Sequence, residues 1–242
     1  LLWLFGLYLA EGGAYGDKRR YFITFSSDDA FIRRAKGILE AHFKVRVRYV
    51  PPAPNRAPGI YVHSKALYIL FARALGLRKR IPPWVFQLPL SRLKHFLEGY
   101  RCGDGTHSGK KLGNELVFDT ASEEIAYGLV YLLLRFGIVA SVGRYETWVG
   151  KKLTATKRYP FYRVTVCALD NFDLLSWDQG VRQKLNARRE GDIVWSQVKE
   201  VRPCLITATV YDFSVPGAEN FVAGNGVFCH NTYGPFMDPE DG

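Results

Sequence analysis

The chain's apolar and polar positions fall into two patterns that change near residue 190. Residues 1–10 (LLWLFGLYLA) form an unbroken apolar run closed by Glu11. That length predicts a buried helix and falls short of the roughly 20 apolar residues of a membrane span. The run begins at residue 1 with neither a Met nor an N-cap, so the chain is expected to have been cut from a longer one at its front. Slid on itself by 93 residues, the sequence places Gly6 on Gly99, Glu11 on Asp104, Gly12 on Gly105, Phe25 on Phe118, Leu39 on Leu132, Phe43 on Phe136 and Val45 on Ile138. Residues 23–50 and 116–145 read alike as strand, capped helix, strand. Ser26/Ser27 and Thr120/Ser122 stand where caps belong, and acids open each helix. One α/β unit is duplicated. Two copies are too few for a stacked repeat array.

The copies differ in one connection. Residues 51–56 make a short link, whereas 146–159 make a long one carrying Lys151, Lys152, Lys157 and Arg158. A basic hairpin tip beside strands suits a nucleic-acid groove. After 190 come short β-like runs separated by Pro203, Pro216-Gly217 and Gly224, with no counterpart in the duplicated part. The expected domains are therefore 1–190, with repeat halves of about 1–93 and 94–190, then 191–231, then a polar tail over 232–242.

Charge narrows the partners. Lys and Arg number 33 against 23 Asp and Glu, a formal net charge of +10. With 48% apolar residues the chain can build a core, so the charge points to a polyanion such as nucleic acid. The four cysteines, Cys102, Cys167, Cys204 and Cys229, form no CxxC pair. That argues against a zinc site and fits a reducing, cytoplasmic compartment. No signal peptide or membrane segment is expected.

The candidate chemistry lies at the helix ends. Residues 4–12 (LFGLYLAEG) and 97–105 (LEGYRCGDG) each place an acid at the eighth position, followed by Gly. Each places small residues four apart: Gly6 and Ala10, Gly99 and Gly103. That spacing stacks them on one helix face, where two helices can approach more closely than usual. Glu11 and Asp104 would then meet at adjacent C-termini, opposing the helix dipoles and repelling each other. A divalent cation relieves both problems, and Mg2+ suits a site of few carboxylates, waters and phosphate oxygens.

These two segments resemble the paired motifs of double-motif LAGLIDADG homing endonucleases, particularly those of archaeal inteins. The resemblance covers residues 1 to about 190. It implies an α+β fold, a pseudo-twofold duplicated αββαββα layout whose two curved antiparallel sheets sit in successive major grooves. It also implies cleavage of both strands of a long double-stranded DNA site, with Glu11 and Asp104 binding the metal. Glu11 departs from the more usual Asp. The family uses a lysine from each half near the metals. Lys79, in RKRIPPWVF, matches the K-x-I-P pattern ahead of the second motif, and Lys184 is its positional counterpart. The duplication already supplies the twofold pair, so a monomer is expected.

The end of the chain resembles the C-terminal splicing blocks of inteins, on VYDFSVPGAENFVAGNGVFCHNT. The resemblance implies that Asn231 cyclises and cuts its own peptide bond, assisted by His230. Thr232 would be the first residue of the host, or extein, and a nucleophile, with Asp212 tuning these steps. Glu219 occupies a position often held by His. An N-terminal Cys or Ser block and a Thr-x-x-His block are missing, so splicing is expected to require a separate N-terminal splicing half and its host segment. Two other readings remain open: a silent nucleic-acid-binding relative, of maturase or regulator type, and a fragment in which only splicing survives.

Overall fold

The computed structural model describes residues 1–76, 79–107, 116–148, 158–166, 187–201, 203, 213, 215–224 and 226–230. The chain divides into two compact units, Leu1–Lys184 and Leu185–Gly242. The division falls a few residues before the boundary read at 190, because a strand over Ala187–Glu190 pairs with its neighbour Ile193–Ser196.

The first unit is α+β and duplicated. Helix α1 (Leu2–Glu11) leads into β1 (Gly12–Gly16), β2 (Tyr21–Ser26), α2 (Asp29–Phe43), β3 (Val47–Val50), β4 (Gly59–His63) and α3 (Lys65–Leu75). A 3-10 turn over Pro83–Gln87 precedes α4 (Leu90–Asp104). The second copy continues through β5 (Gly105–His107), β6 (Leu116–Thr120), α5 (Glu123–Leu134), β7 (Ala140–Trp148) and β8 (Arg158–Val166). The sheets have matching antiparallel orders, β1-β2-β4-β3 and β5-β6-β8-β7. Phe25 pairs with Ile60, and its counterpart Phe118 pairs with Val164.

Period-two burial sets the faces. Ile23, Phe25, Ile60, Val62, Phe118, Val164 and Val166 are buried under the helices. Helices α1, α2 and α3 pack on the first sheet, and α4 and α5 on the second. The opposite face of each sheet is left open. The core is continuous through α1, whose residues Trp3 to Leu9 are all buried.

The expected caps hold only in the second copy. Ser122 caps α5 by accepting from the Ile125 N–H. The first copy begins α2 at Asp28 with no side-chain cap, and Ser27 instead donates to the Cys102 carbonyl at 2.6 Å. That bond ties the first half to α4.

The second unit contains two antiparallel hairpins among its described residues: β9 (Ala187–Glu190) with β10 (Ile193–Ser196), and β11 (Asn220–Ala223) with β12 (Val227–His230). No described helix is long and apolar enough to cross a membrane.

Candidate active site

The site is built on the contact between α1 and α4. Gly6 lies against the Phe96 carbonyl, and a Cβ there would fall 2.7 Å from the Tyr100 nitrogen. Gly99 lies against the Trp3 carbonyl, and Gly103 against the Ala10 methyl. Backbone therefore meets backbone, which side chains of ordinary size would prevent. Each helix runs straight into a strand. Gly12 (φ −90°) and Gly105 (φ −75°) are both extended, so neither is a left-handed C-cap. A Cβ on either would strike its own helix one turn back, at Tyr8 or Arg101, so these glycines permit the sharp exit.

This geometry brings Glu11 and Asp104 together, their carboxyl groups within hydrogen-bonding reach. Burial raises Glu11 above its ordinary value, and the charge of Asp104 raises it further. Burial likewise raises Asp104, against the opposing pull of Tyr100 and Lys79. A cleft of about 310 Å³ opens beside Glu11, walled by Ser26, Ser27 and Asp28 on one side and Gly103, Gly105 and Thr106 on the other.

Lys79 reaches the same place from the segment before α4, donating from Nζ to the Ala10 carbonyl at 2.9 Å. Much of its side chain meets solvent, but protein crowds the ammonium end. That desolvation lowers its pKa, while Asp104 and Glu11 hold it up.

Tyr100 is a site residue that the sequence pattern alone does not single out. Its ring is buried, and its hydroxyl, without a well-formed hydrogen bond, lies beside Asp104 and Thr120. Its spacing of four residues from Asp104 on one helix was the available signal. The equivalent residue of α1 is Leu7, so the two acids have different neighbours.

Two of the other predicted positions are described. Arg158 begins β8 and pairs with Glu146 across the hairpin at 3.7 Å, both exposed. His230 ends β12 opposite Asn220, with Nε2 3.9 Å from Glu219. Glu219 itself has φ +52°, a turn conformation that side chains seldom adopt. Lys151, Lys152, Lys157, Lys184, Asp212, Asn231 and Thr232 lie outside the described residues.

Residues 36–231 match the family model described as the intein splicing domain, so the match ends on Asn231. A DNA polymerase of Thermococcus sp. (strain GE8) is 30% identical over 271 residues, covering 95% of this chain and 15% of the polymerase. A DNA polymerase of Thermococcus litoralis is 27% identical, covering 97% of this chain and 16% of that protein. A replication factor C small subunit of Methanocaldococcus jannaschii is 28% identical, covering 86% and 10%. The chain thus spans less than a fifth of the length of these relatives. Among solved structures, the homing endonuclease I-DmoI in complex with DNA and Mn superposes with a TM-score of 0.51 at 16% identity, over 73% of this chain and 96% of that one. The likeness at that identity is one of fold. With its duplicated first unit in the LAGLIDADG endonuclease fold and its match running through to Asn231, this chain belongs to the intein splicing domain family.

Proposed function

We propose that the chain is the endonuclease and C-terminal splicing part of an intein, and that its first unit makes Mg2+-dependent, site-specific breaks in both strands of duplex DNA. The observation that carries this reading is the pair of acids, Glu11 and Asp104, pressed together at the ends of two helices in backbone contact. Structural economy would not place two carboxylates there, since the charge of Asp104 disfavours the ionisation of Glu11 and burial disfavours that of both. A divalent cation between them fits that donor set. Among the described residues no group of three or more His, Cys, Asp or Glu side chains gathers, so DNA phosphate oxygens and water would complete the shell. When bound, such a cation lowers the pKa of water and offsets charge on the phosphate.

The chain's own groups do the rest. Glu11 and Asp104 must both be ionised to hold the cation. Tyr100 limits the orientations open to Asp104. Lys79, anchored on the Ala10 carbonyl, keeps a positive charge beside both acids and faces the charge that develops on the phosphate. The two sheets present their helix-free faces to the duplex, and the net charge of +10 draws it in. The duplication lets one chain cut as a monomer.

The relatives support the mobile-element part of the reading. DNA polymerases and a replication factor C small subunit are different proteins by name, yet each contains a stretch similar to this chain. One element inserted into different hosts accounts for that. The family match ending on Asn231 supports a junction between Asn231 and Thr232. There the Asn231 side-chain nitrogen attacks its own backbone carbonyl carbon. The peptide bond to Thr232 breaks, and the departing amine takes a proton, with His230 assisting. The N-terminal splicing half and its host segment would come from elsewhere in the protein or from a separate chain, in the cytoplasm.

A plasmid carrying the uninterrupted insertion site, incubated with the chain and Mg2+, tests the nuclease. Linear product is expected from the wild type and from Asn231→Ala, and none from Glu11→Gln or Asp104→Asn. Binding without cutting by the wild type would overturn the reading in favour of a silent DNA-binding protein.

A further inference from the structure

The open face of the first sheet carries an unusual cargo for a surface meant to meet a polyanion. Register places Tyr15 of β1 beside Phe22 of β2, and Phe22 beside His63 of β4. The Tyr15 and Phe22 rings stack with centroids 5.1 Å apart and planes 25° apart. Phe22 also meets His63 at 5.6 Å and Tyr61 at 6.2 Å. Four rings from three strands thus form one patch, with Tyr15 44% and Tyr61 41% exposed. The alternate residues of the same strands already supply the core, so these rings are not needed to hold the sheet to its helices. An exposed apolar patch with a basic rim marks a binding surface. Here Arg20, paired with Asp17 at 3.3 Å, lies 5.9 Å from the Tyr15 ring, and Arg46 and Arg48 line a depression shared with Tyr61 and His63.

Phosphates offer these rings nothing apolar. In the major groove, the apolar group that separates one base pair from another is the C5 methyl of thymine. We propose that the Tyr15–Phe22–Tyr61–His63 patch reads thymine methyl groups in one half of the DNA target, while the flanking arginines hold the phosphates. The inference rests on the endonuclease reading and deepens it by naming part of the sequence recognised.

The geometry also sets the place. Strand β1 starts immediately after Glu11, and Tyr15 is four residues along it. At roughly 3.3 Å per residue that is about 13 Å. A duplex rises about 3.4 Å per base pair along each strand, so with β1 laid along the duplex the thymines fall about four base pairs outside the cut. The preference is confined to one half. Among its described residues the second sheet's open face holds instead the Asp119–Arg163 pair, with two bonds of 2.7 and 2.6 Å. Its stacked rings, Tyr145 on Phe161, lie farther out along the β7–β8 hairpin and flank Arg163 at 5.7 Å each.

The test is a selection of duplexes with a randomised central stretch on the wild-type chain in Ca2+, followed by mapping of the cut in Mg2+. Thymine should be enriched on one side only, about four base pairs from the cut. Replacing those thymines by deoxyuridine, which removes only the methyl, should weaken binding about threefold to fourfold per methyl. The Phe22→Ser variant should bind both duplexes equally. Selected duplexes without that enrichment, or deoxyuridine duplexes bound as tightly by the wild type, would overturn the inference and leave the nuclease standing. Recovery of no sequence above the random background would overturn both.

Discussion

Replacing Gly99 by alanine tests the interface on which the site depends. A Cβ at this position would overlap the Trp3 carbonyl oxygen and lie 2.8 Å from its carbon and 3.0 Å from the Leu7 nitrogen. These are backbone atoms of a buried helix, so no rotamer change relieves the overlap, and α1 and α4 must move apart. Overpacking costs about 1–3 kcal/mol, and a backbone clash falls at the upper end. The higher helix propensity of alanine returns at most about 1 kcal/mol. The net loss is therefore about 2 kcal/mol, a fall in Tm of about 4–8 °C for a unit of this size. Gly37 is the control. It lies within α2 with nothing within 4 Å of the added methyl. Its replacement by alanine should stabilise by about 0.5–1 kcal/mol and raise Tm by about 1–4 °C. Thermal denaturation followed by circular dichroism at one protein concentration measures both. If Gly99→Ala melted at or above the wild type, the backbone contact between the helices would be refuted.

The raised pKa values of the acid pair give a stability prediction with a definite sign. A folded carboxyl that holds its proton more tightly than the unfolded one costs stability once it ionises. The stabilising share is present below the ordinary carboxylate range and lost as pH rises through the raised values. Glu11→Gln and Asp104→Asn should each melt above the wild type at neutral pH while losing cleavage, and calorimetry should show the gap closing in acid. Lys79→Met removes a charge that holds both acids down, so the acid limb of the cleavage pH profile should move to higher pH, with the maximal rate reduced about 100-fold or more. Ser122→Ala removes the cap of α5 and should cost about 0.5–2 kcal/mol in denaturant unfolding, leaving metal and DNA binding unchanged at temperatures where the protein stays folded.

What could be read from the sequence was whatever depended on spacing within one element. Gly6, Ala10, Gly99 and Gly103 lie on helix faces by period alone, and the offset shared by Glu11 and Asp104 indicated which faces meet. Lys79 was legible through the motif around it, although its partner, the Ala10 carbonyl, belongs to another helix and could not be read. Tyr100 is inconspicuous because in sequence it looks like one more core aromatic; only its position beside Asp104 and Thr120 gives its hydroxyl meaning. Ser27 illustrates the opposite failure. Its type and place before an acidic helix start suggest a cap, but its hydroxyl donates to the nearby Cys102 carbonyl instead. The aromatic patch was illegible because it is a matter of register: Tyr15, Phe22 and His63 become neighbours only when three strands pair. β1 itself, GGAYG, has too little apolar alternation to show which way Tyr15 points.

The central claim is that Glu11 and Asp104 form one coupled site that takes a divalent cation. Carbon-detected NMR titration of the two carboxyl groups, with and without Mg2+, measures this without need of a DNA target. The account predicts that both titrate above the ordinary carboxylate range, that Asp104→Asn brings Glu11 down, and that Mg2+ lowers both in the wild type. Two independent titrations at ordinary values, unmoved by Mg2+ or by loss of the partner, would contradict it.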